Sequence, residues 1–157
     1  MILFLLKVLI GLVLAAMLLC VARTWQMEHS PRQALFEKGI IPNPLPDGMY
    51  QGSVPGHTFS WLGKKFNAAD STGINVFSDA MGGQTTKYPF KTSVGKGVHD
   101  ANLDVLKIDY NIPDNPLWLR LVLDEVVQTG PDQYLGKLQF RIIPGYPFTL
   151  SYFELKK

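Results

Sequence analysis

The fold of the chain is decided by residues 104–153, DVLKIDYNIPDNPLWLRLVLDEVVQTGPDQYLGKLQFRIIPGYPFTLSYF. Along this stretch about one side chain in two is apolar, the alternation that is typical of half-buried β-strands. Residues 113–116, Pro-Asp-Asn-Pro, suit a chain reversal and cannot continue a ladder of strand hydrogen bonds. Residues 130–132 and 144–147 mark two further turns. The stretch therefore predicts four consecutive antiparallel strands joined by hairpins.

The turns also predict which side chains share a face of the sheet. Placing Ile112 opposite Leu117 gives an apolar inner face and an outer face of paired opposite charges. The predicted outer pairs are Asp109–Arg120 and Asp124–Lys137. A shift of one residue would move every apolar side chain to the other face, so the register decides the interior. The predicted inner positions are Leu106, Ile108, Tyr110, Leu119, Leu121, Leu123, Val127, Tyr134, Leu138, Phe140, Ile142, Phe148, Leu150 and Tyr152.

Four more strands are predicted upstream, at residues 48–54, 58–66, 73–78 and 87–94, each separated from the next by turn-forming residues. No convincing helical period occurs after residue 47. Eight short antiparallel strands with one apolar face predict an all-β, up-and-down barrel, because closure removes exposed strand edges. A two-sheet sandwich is the structural alternative.

The amino terminus has a different character. Residues 2–22 are apolar apart from Lys7, and about 20 such residues can cross a bilayer. Arg23 and Trp25 follow, and both suit the headgroup level. We expect residues 1–23 to form a transmembrane anchor; a signal peptide cleaved after residues 20–22 is the alternative. Residues 24–46 then form a proline-rich juxtamembrane linker, preferred over a short helix within 27–39, and residues 47–157 form the barrel.

Two features of the sequence bear on the side of the membrane. Lys7 precedes the apolar run, whereas Arg23, Arg32 and Lys38 follow it, and this charge balance favours a cytoplasmic carboxyl side. Against this, single amino-terminal anchors of small β-domains commonly act as export signals. We expect a single-pass protein of the bacterial cell membrane with an exported barrel.

Two short motifs resemble those of a known family. Gly48-Met49-Tyr50-Gln51-Gly52 resembles the Gly-x-Trp-x-Gly signature of the bacterial GXWXG-type proteins, and residues 61–66, WLGKKF, resemble the Trp-x-Gly-Lys-x-Phe segment that follows it. The resemblance implies a small lipocalin-like (calycin-like) barrel and transfers no catalytic residue. On their own terms, the glycines let the first strand bend while Tyr50 closes one end of the barrel. Trp61 is expected inside and Lys64 on the opposite face.

Composition and motifs exclude several classes of function. A net charge of +2 without a clustered basic stripe argues against a nucleic-acid partner. The single cysteine, Cys20, lies in the apolar run and the three histidines are isolated, so neither a metal site nor a cofactor is expected. His99-Asp100 could supply a general base to an isomerase or cyclase. A solvated turn at these two residues is the preferred interpretation.

An apolar barrel interior predicts either a filled core or a dry cavity. Our first hypothesis is a cavity that binds a lipid or fatty-acid-like molecule. The candidate ligand-binding residues are Tyr50, Trp61, Ile108, Tyr110, Leu119, Leu121, Leu123, Leu138, Phe140 and Tyr152. The alternative is a filled barrel that binds another envelope protein through an outer patch of Trp118, Val122, Val126 and Leu135.

Overall fold

A computed structural model describes all 157 residues and shows eight antiparallel strands in sequential order. Each strand pairs with the next and β1 also pairs with β8, so the barrel is closed. The strands are β1 Gly48–Ser53, β2 Trp61–Asn67, β3 Thr72–Ser78, β4 Gln84–Lys96, β5 Asp104–Asp109, β6 Val122–Gly130, β7 Gln133–Ile143 and β8 Tyr146–Lys156. The predicted barrel is confirmed, and the sandwich alternative is wrong.

Two helices precede the barrel, α1 Ile2–Glu28 and α2 Pro31–Phe36. Ser30 caps α2, because its Oγ accepts a hydrogen bond from the Gln33 backbone N–H at 3.4 Å, and Pro31 occupies the first turn. Phe36 is fully buried against the barrel. The segment expected to be a spacer is therefore helical in part and packed, because its few apolar side chains find partners on the outer wall.

The predicted pairing of β5 with β6 is wrong by three residues. Leu119–Leu121 form a single 3₁₀ turn, and β6 begins only at Val122. Ile108 then lies opposite Asp124 instead of Leu121. The connection is longer than four residues, and its side chains hold it together: Arg120 Nε donates to the Asn115 carbonyl at 2.9 Å. The prediction assumed a tight turn at residues 113–116, whereas the loop between β5 and β6 spans residues 110–121.

The shift exchanges the two faces of β6. Val122 and Val126 point inward with Asp124, whereas Leu123 points outward and Leu121 is 38% exposed. The predicted outer pairs fail for the same reason. Asp109 pairs with Arg141, 2.6 Å away, and Asp124 and Lys137 lie on opposite sides of the barrel wall. Two further expected inner positions are also wrong: Val127 packs on the outer wall and Ile142 is 48% exposed.

Lys64 also lies on the face opposite to the predicted one. The pairing of β2 with β3 shifts between Trp61 and Gly63, which is a β-bulge. A bulge inserts one extra residue and changes the alternation of side chains along the strand. Trp61 and Lys64, three positions apart, therefore both line the barrel interior.

The apolar residues form two cores separated by the barrel wall. The inner core contains Tyr50, Phe66, Phe90, Leu106, Ile108, Tyr110, Leu119, Val122, Val126, Tyr134, Phe153 and Leu155. The outer core joins the barrel to α2 and contains Phe36, Val105, Val127, Leu135 and Tyr152. Tyr152 was expected inside; the register of β8 shifts at Leu138, and Phe153 points inward in its place.

Polar contacts reinforce the attachment of the helices. Lys137, which is fully buried, forms ion pairs with Glu28 of α1 at 3.1 Å and with Asp100 at 2.7 Å. The Tyr152 hydroxyl donates to Gln33 Oε1 at 2.6 Å. Arg23 Nε donates to the Leu150 carbonyl at 2.8 Å. The carboxyl-terminal part of α1 and all of α2 are thus fixed to the outer wall of the barrel.

Candidate functional site

The barrel encloses a cavity of about 470 Å³ in which 13 of the 16 lining residues are hydrophobic. Its rim includes Phe59 and Trp118, which are 57% and 56% exposed, so the cavity is open to the surface at one end of the barrel. Phe77 and Tyr88 line the same region, and the Tyr88 and Trp118 rings contact edge to face. The aromatic rim and aliphatic wall favour an apolar occupant.

Five of the ten candidate ligand-binding residues line this cavity: Trp61, Tyr110, Leu119, Leu138 and Phe140. Tyr50 and Ile108 belong to the inner core but not to the cavity wall. Leu121, Leu123 and Tyr152 lie outside the interior for the reasons given above. Ligand binding by any of these residues stays a prediction.

A buried polar cluster forms part of the cavity wall, and sequence reasoning missed it. Lys64 Nζ lies 3.0 Å from Asp124 Oδ2 and 3.1 Å from Asn75 Oδ1, and it also hydrogen-bonds the Tyr110 hydroxyl. All four side chains are at most 5% exposed. We call Lys64, Asn75, Tyr110 and Asp124 the polar floor of the cavity.

Neighbouring groups hold the polar floor in place. Trp61 Nε1 donates to Asn75 Oδ1 at 3.0 Å, and Asn75 Nδ2 donates to the Tyr88 carbonyl at 3.1 Å. Tyr88 adopts φ of 63° next to the point where the β3–β4 register shifts. This left-handed conformation is unusual for a bulky residue, and the Asn75 contact helps to stabilise it.

The low-dielectric surroundings shift the pKa values of the ionisable groups. Burial raises the pKa of the Asp124 carboxyl, and the Lys64 ammonium opposes that rise. Burial by itself lowers the pKa of Lys64, but Asp124 and Tyr110 together raise it above its ordinary value. Burial raises the pKa of the Tyr110 hydroxyl to about 12. Lys64 therefore stays protonated at neutral pH.

One signal in the sequence does point to this cluster. Asp124 and Glu125 are adjacent within a strand, and successive side chains of a strand point to opposite faces. One of the two acids must therefore face the interior, and a buried carboxylate requires a partner. The sequence does not identify Lys64 as that partner, because the hydrophobic pattern of β2 does not indicate the bulge at Gly63.

The acid–base pair at His99 and Asp100, which is the less preferred interpretation of these residues, and the expected outer patch are not assembled. His99 Nε2 contacts the Pro147 carbonyl at 2.8 Å, whereas Asp100 contacts Lys137 and Gln33. These residues lie at the junction of helix and barrel and are not oriented as an acid–base pair. The expected outer patch is also wrong: Val122 and Val126 are inside, and Leu135 lies in the outer core. An envelope protein partner stays a prediction.

The cavity opens at the end of the barrel nearest the strand residues that α1 contacts. This mouth end carries the loops at residues 54–60, 79–83, 110–121 and 144–145; the opposite, far end carries the turns at 68–71, 97–103 and 131–132. Arg23 contacts Leu150 in the mouth-side half of β8, and Ile40 pairs with Gln128 near the far end. The chain thus descends the wall from mouth end to far end.

Residues 2–22 of α1 precede this contact in the chain, and none of them is buried. By length and hydropathy α1 could cross a membrane, and none of its most apolar stretch is buried. This segment of 21 helical residues is about 30 Å long, which matches the hydrocarbon thickness of a bilayer.

Comparisons with known proteins support the fold. No family model matches the chain, and no curated protein matches it either. Among solved structures, the crystal structure of a protein from Thermomonospora curvata is similar, with a TM-score of 0.55 and 14% sequence identity. The similarity covers 80% of this chain and 84% of that one. At this identity the likeness shows a shared fold alone.

Proposed function

We propose that this protein is a membrane-anchored barrel that binds a small, lipid-like apolar molecule in its cavity. One observation carries the proposal: the apolar helix joins the barrel through Arg23 at Leu150, a residue that lines the apolar cavity on the half of β8 nearest the mouth. A bilayer that holds residues 2–22 would face the mouth. An apolar molecule could then pass between bilayer and cavity without crossing water, where its exposure is costly.

The surface of the mouth end supports this orientation. Its loops and the first residue of β8 expose several large apolar side chains: Phe59, Met81, Leu117, Trp118 and Tyr146. Soluble surfaces seldom cluster such residues, and a cluster commonly marks a membrane or partner interface. Trp and Tyr in particular suit the headgroup region. Arg23 and Trp25 lie at the same level of the helix, where the apolar segment ends.

The size of the cavity supports a small ligand. A volume of about 470 Å³ lies within the range of about 300–1,000 Å³ that is usual for ligand pockets. A single acyl chain or a compact isoprenoid fits that range, whereas a whole phospholipid does not. We therefore propose one chain or ring system as the occupant.

The cellular setting belongs to the same proposal. We infer a single-pass protein of a bacterial cell membrane, with the barrel on the exported side. The resemblance of Tyr50 and its flanking glycines to the GXWXG-type motif agrees with a lipocalin-like barrel, and membership in that family stays part of the proposal.

Photochemical labelling tests the proposal on the full-length protein. The protein is placed in lipid nanodiscs that contain a diazirine-bearing acyl lipid, irradiated, digested and analysed by mass spectrometry. We expect adducts on peptides that contain Trp61, Leu138 or Phe140. Adducts confined to α1 and the mouth loops would contradict binding in the cavity.

A matched pair of variants sharpens this test. Leu138→Trp fills the cavity, and Ile142→Trp places the same ring on the exposed part of the same strand. We expect the first variant to lose cavity adducts several-fold and the second to keep them. Equal labelling of both variants would contradict the proposal.

A further inference from the structure

The polar floor contains a surplus of acceptor atoms and no free donor. Lys64 has three N–H donors, and they meet three acceptors: Asp124 Oδ2, Asn75 Oδ1 and the Tyr110 hydroxyl oxygen. Asn75 Nδ2 donates to Tyr110 and to the Tyr88 carbonyl. The remaining donor groups of the floor are therefore limited to one hydroxyl.

That hydroxyl is also engaged. The Tyr110 proton is within reach of Asp124 Oδ2 at 3.3 Å and of Asn75 Oδ1 at 3.4 Å. The indole N–H of Trp61 is directed to Asn75 as well. Every side-chain donor at the base of the cavity thus has a partner within the protein.

One acceptor lacks a partner. Asp124 Oδ1 is buried and accepts no hydrogen bond from the protein, and Asp124 is one of the residues that line the cavity. A buried carboxylate oxygen without a donor is costly, and native proteins rarely leave one so. A group that donates a hydrogen bond to Asp124 Oδ1 would remove that cost.

The charge of the floor restricts the donor further. Lys64 and Asp124 already compensate each other, so the pair adds no net charge to the cavity. A ligand carboxylate would bring a second negative charge next to Asp124 and would find no free Lys64 proton. A ligand ammonium would leave one positive charge uncompensated in an apolar cavity.

We propose that the cavity selects a neutral lipid alcohol, an apolar molecule whose hydroxyl group donates to Asp124 Oδ1, and that it discriminates against free fatty acids. This inference rests on the proposed function, since it requires that the cavity binds a lipid-like molecule. The apolar wall contacts the hydrocarbon part of the ligand, and the polar floor binds its head group. Asp124 is the specificity-determining residue.

Three photoactivatable probes of identical chain length test the inference on the full-length protein in nanodiscs. Their head groups are a hydroxyl, a carboxylate and a methyl ester, and mildly alkaline buffer keeps the acid ionised. A hydrogen bond to a charged acceptor corresponds to a roughly tenfold or greater preference. At equal probe content of the bilayer, we expect cavity adducts of the alcohol to exceed those of the ester about tenfold, with still fewer from the acid.

Asp124→Asn reverses the selectivity if the inference is correct. The substitution keeps the shape of the side chain but frees the Lys64 ammonium, so labelling by the acid should rise and labelling by the alcohol should fall. The double variant Lys64→Met/Asp124→Leu replaces the ion pair by apolar groups, a change that buried pairs often tolerate. We expect the alcohol and ester probes to label this double variant equally. The double variant replaces Asp124→Asn as the test if Asp124→Asn does not fold.

The outcomes separate this inference from the proposed function. Cavity labelling of the wild-type protein by all three probes to equal extent, or strongest by the acid, would overturn the selectivity and leave lipid binding intact. Absence of cavity adducts from every probe would overturn both.

Discussion

Arg23 and Leu150 connect the apolar helix directly to the cavity wall. Arg23 Nε donates to the Leu150 carbonyl oxygen at 2.8 Å, and the Leu150 side chain lines the cavity. The residue that ends the apolar segment of α1 therefore contacts the strand that borders the mouth. This short connection underlies the proposal that the mouth end faces a membrane that holds the helix.

The ion pairs of Lys137 should be the main polar contribution to helix docking. Lys137→Met removes the cation that Glu28 and Asp100 share, and it leaves two largely buried carboxylates without a compensating positive charge. We expect a loss of about 3–5 kcal/mol in the free energy of unfolding. Denaturant unfolding of the full-length protein, followed by tryptophan fluorescence, measures it.

Lys96→Met is the matched control for that change. Lys96 pairs with Asp104 at 2.9 Å, but both side chains are more than half exposed. Exposed pairs of this kind contribute at most about 1 kcal/mol. Equal destabilisation by the two substitutions would show that Lys137 does not act through a buried network.

Gly136 lies where the inner core approaches the backbone most closely. A Cβ atom at this position would lie 2.1 Å from the Phe153 ring, so Gly136→Ala must displace a buried aromatic side chain. We expect a loss of about 1–3 kcal/mol in stability. Gly95→Ala, in β4, meets only the flexible end of Lys107 at 3.4 Å and should leave the unfolding midpoint unchanged or slightly higher. Similar losses for both variants would contradict the assigned packing.

The Asp109–Arg141 pair should contribute to acid sensitivity. Burial opposes ionisation of Asp109, but hydrogen bonds from Arg141 and the Asn111 backbone hold its pKa below the ordinary value of 3.8. Between the folded and unfolded pKa values the unfolded state binds more protons, so stability falls as the pH decreases through that window. Asp109→Asn should be less stable than the wild type at neutral pH. The difference should shrink as the pH falls below about 4; a difference independent of pH would exclude this ion pair as its cause.

The sequence was sufficient to predict the barrel, because strand number and strand spacing depend on alternation and turn residues. The expected strands all occur, and Leu106, Ile108 and Tyr110 of the predicted inner face are inside. Leu138 and Phe140 are also correctly placed and line the cavity. Except for Tyr110, which directly follows β5, these residues lie on strands whose alternation continues without interruption.

The errors arise where backbone irregularities change the alternation. The loop before β6 contains a 3₁₀ turn, the bulge at Gly63 moves Lys64 inward, and the register shift at Leu138 turns Tyr152 outward. The polar floor was missed for this reason, because Lys64 and Asp124 each depend on one such irregularity. The sequence also offers Lys137 as an outer partner for Asp124, so the inner ion pair of Asp124 with Lys64 was not expected.

Lipid-dependent fluorescence quenching tests most directly the central claim that the cavity mouth faces the bilayer. In a Cys20→Ser background, a fluorophore is attached through Met81→Cys at the mouth end or through Ala69→Cys at the far end; both positions are exposed. Nanodiscs contain lipids with a nitroxide at the headgroup. We predict strong quenching at position 81 and little at position 69. Stronger quenching at position 69, or equal quenching at both, would contradict the orientation and the route by which a lipid would enter.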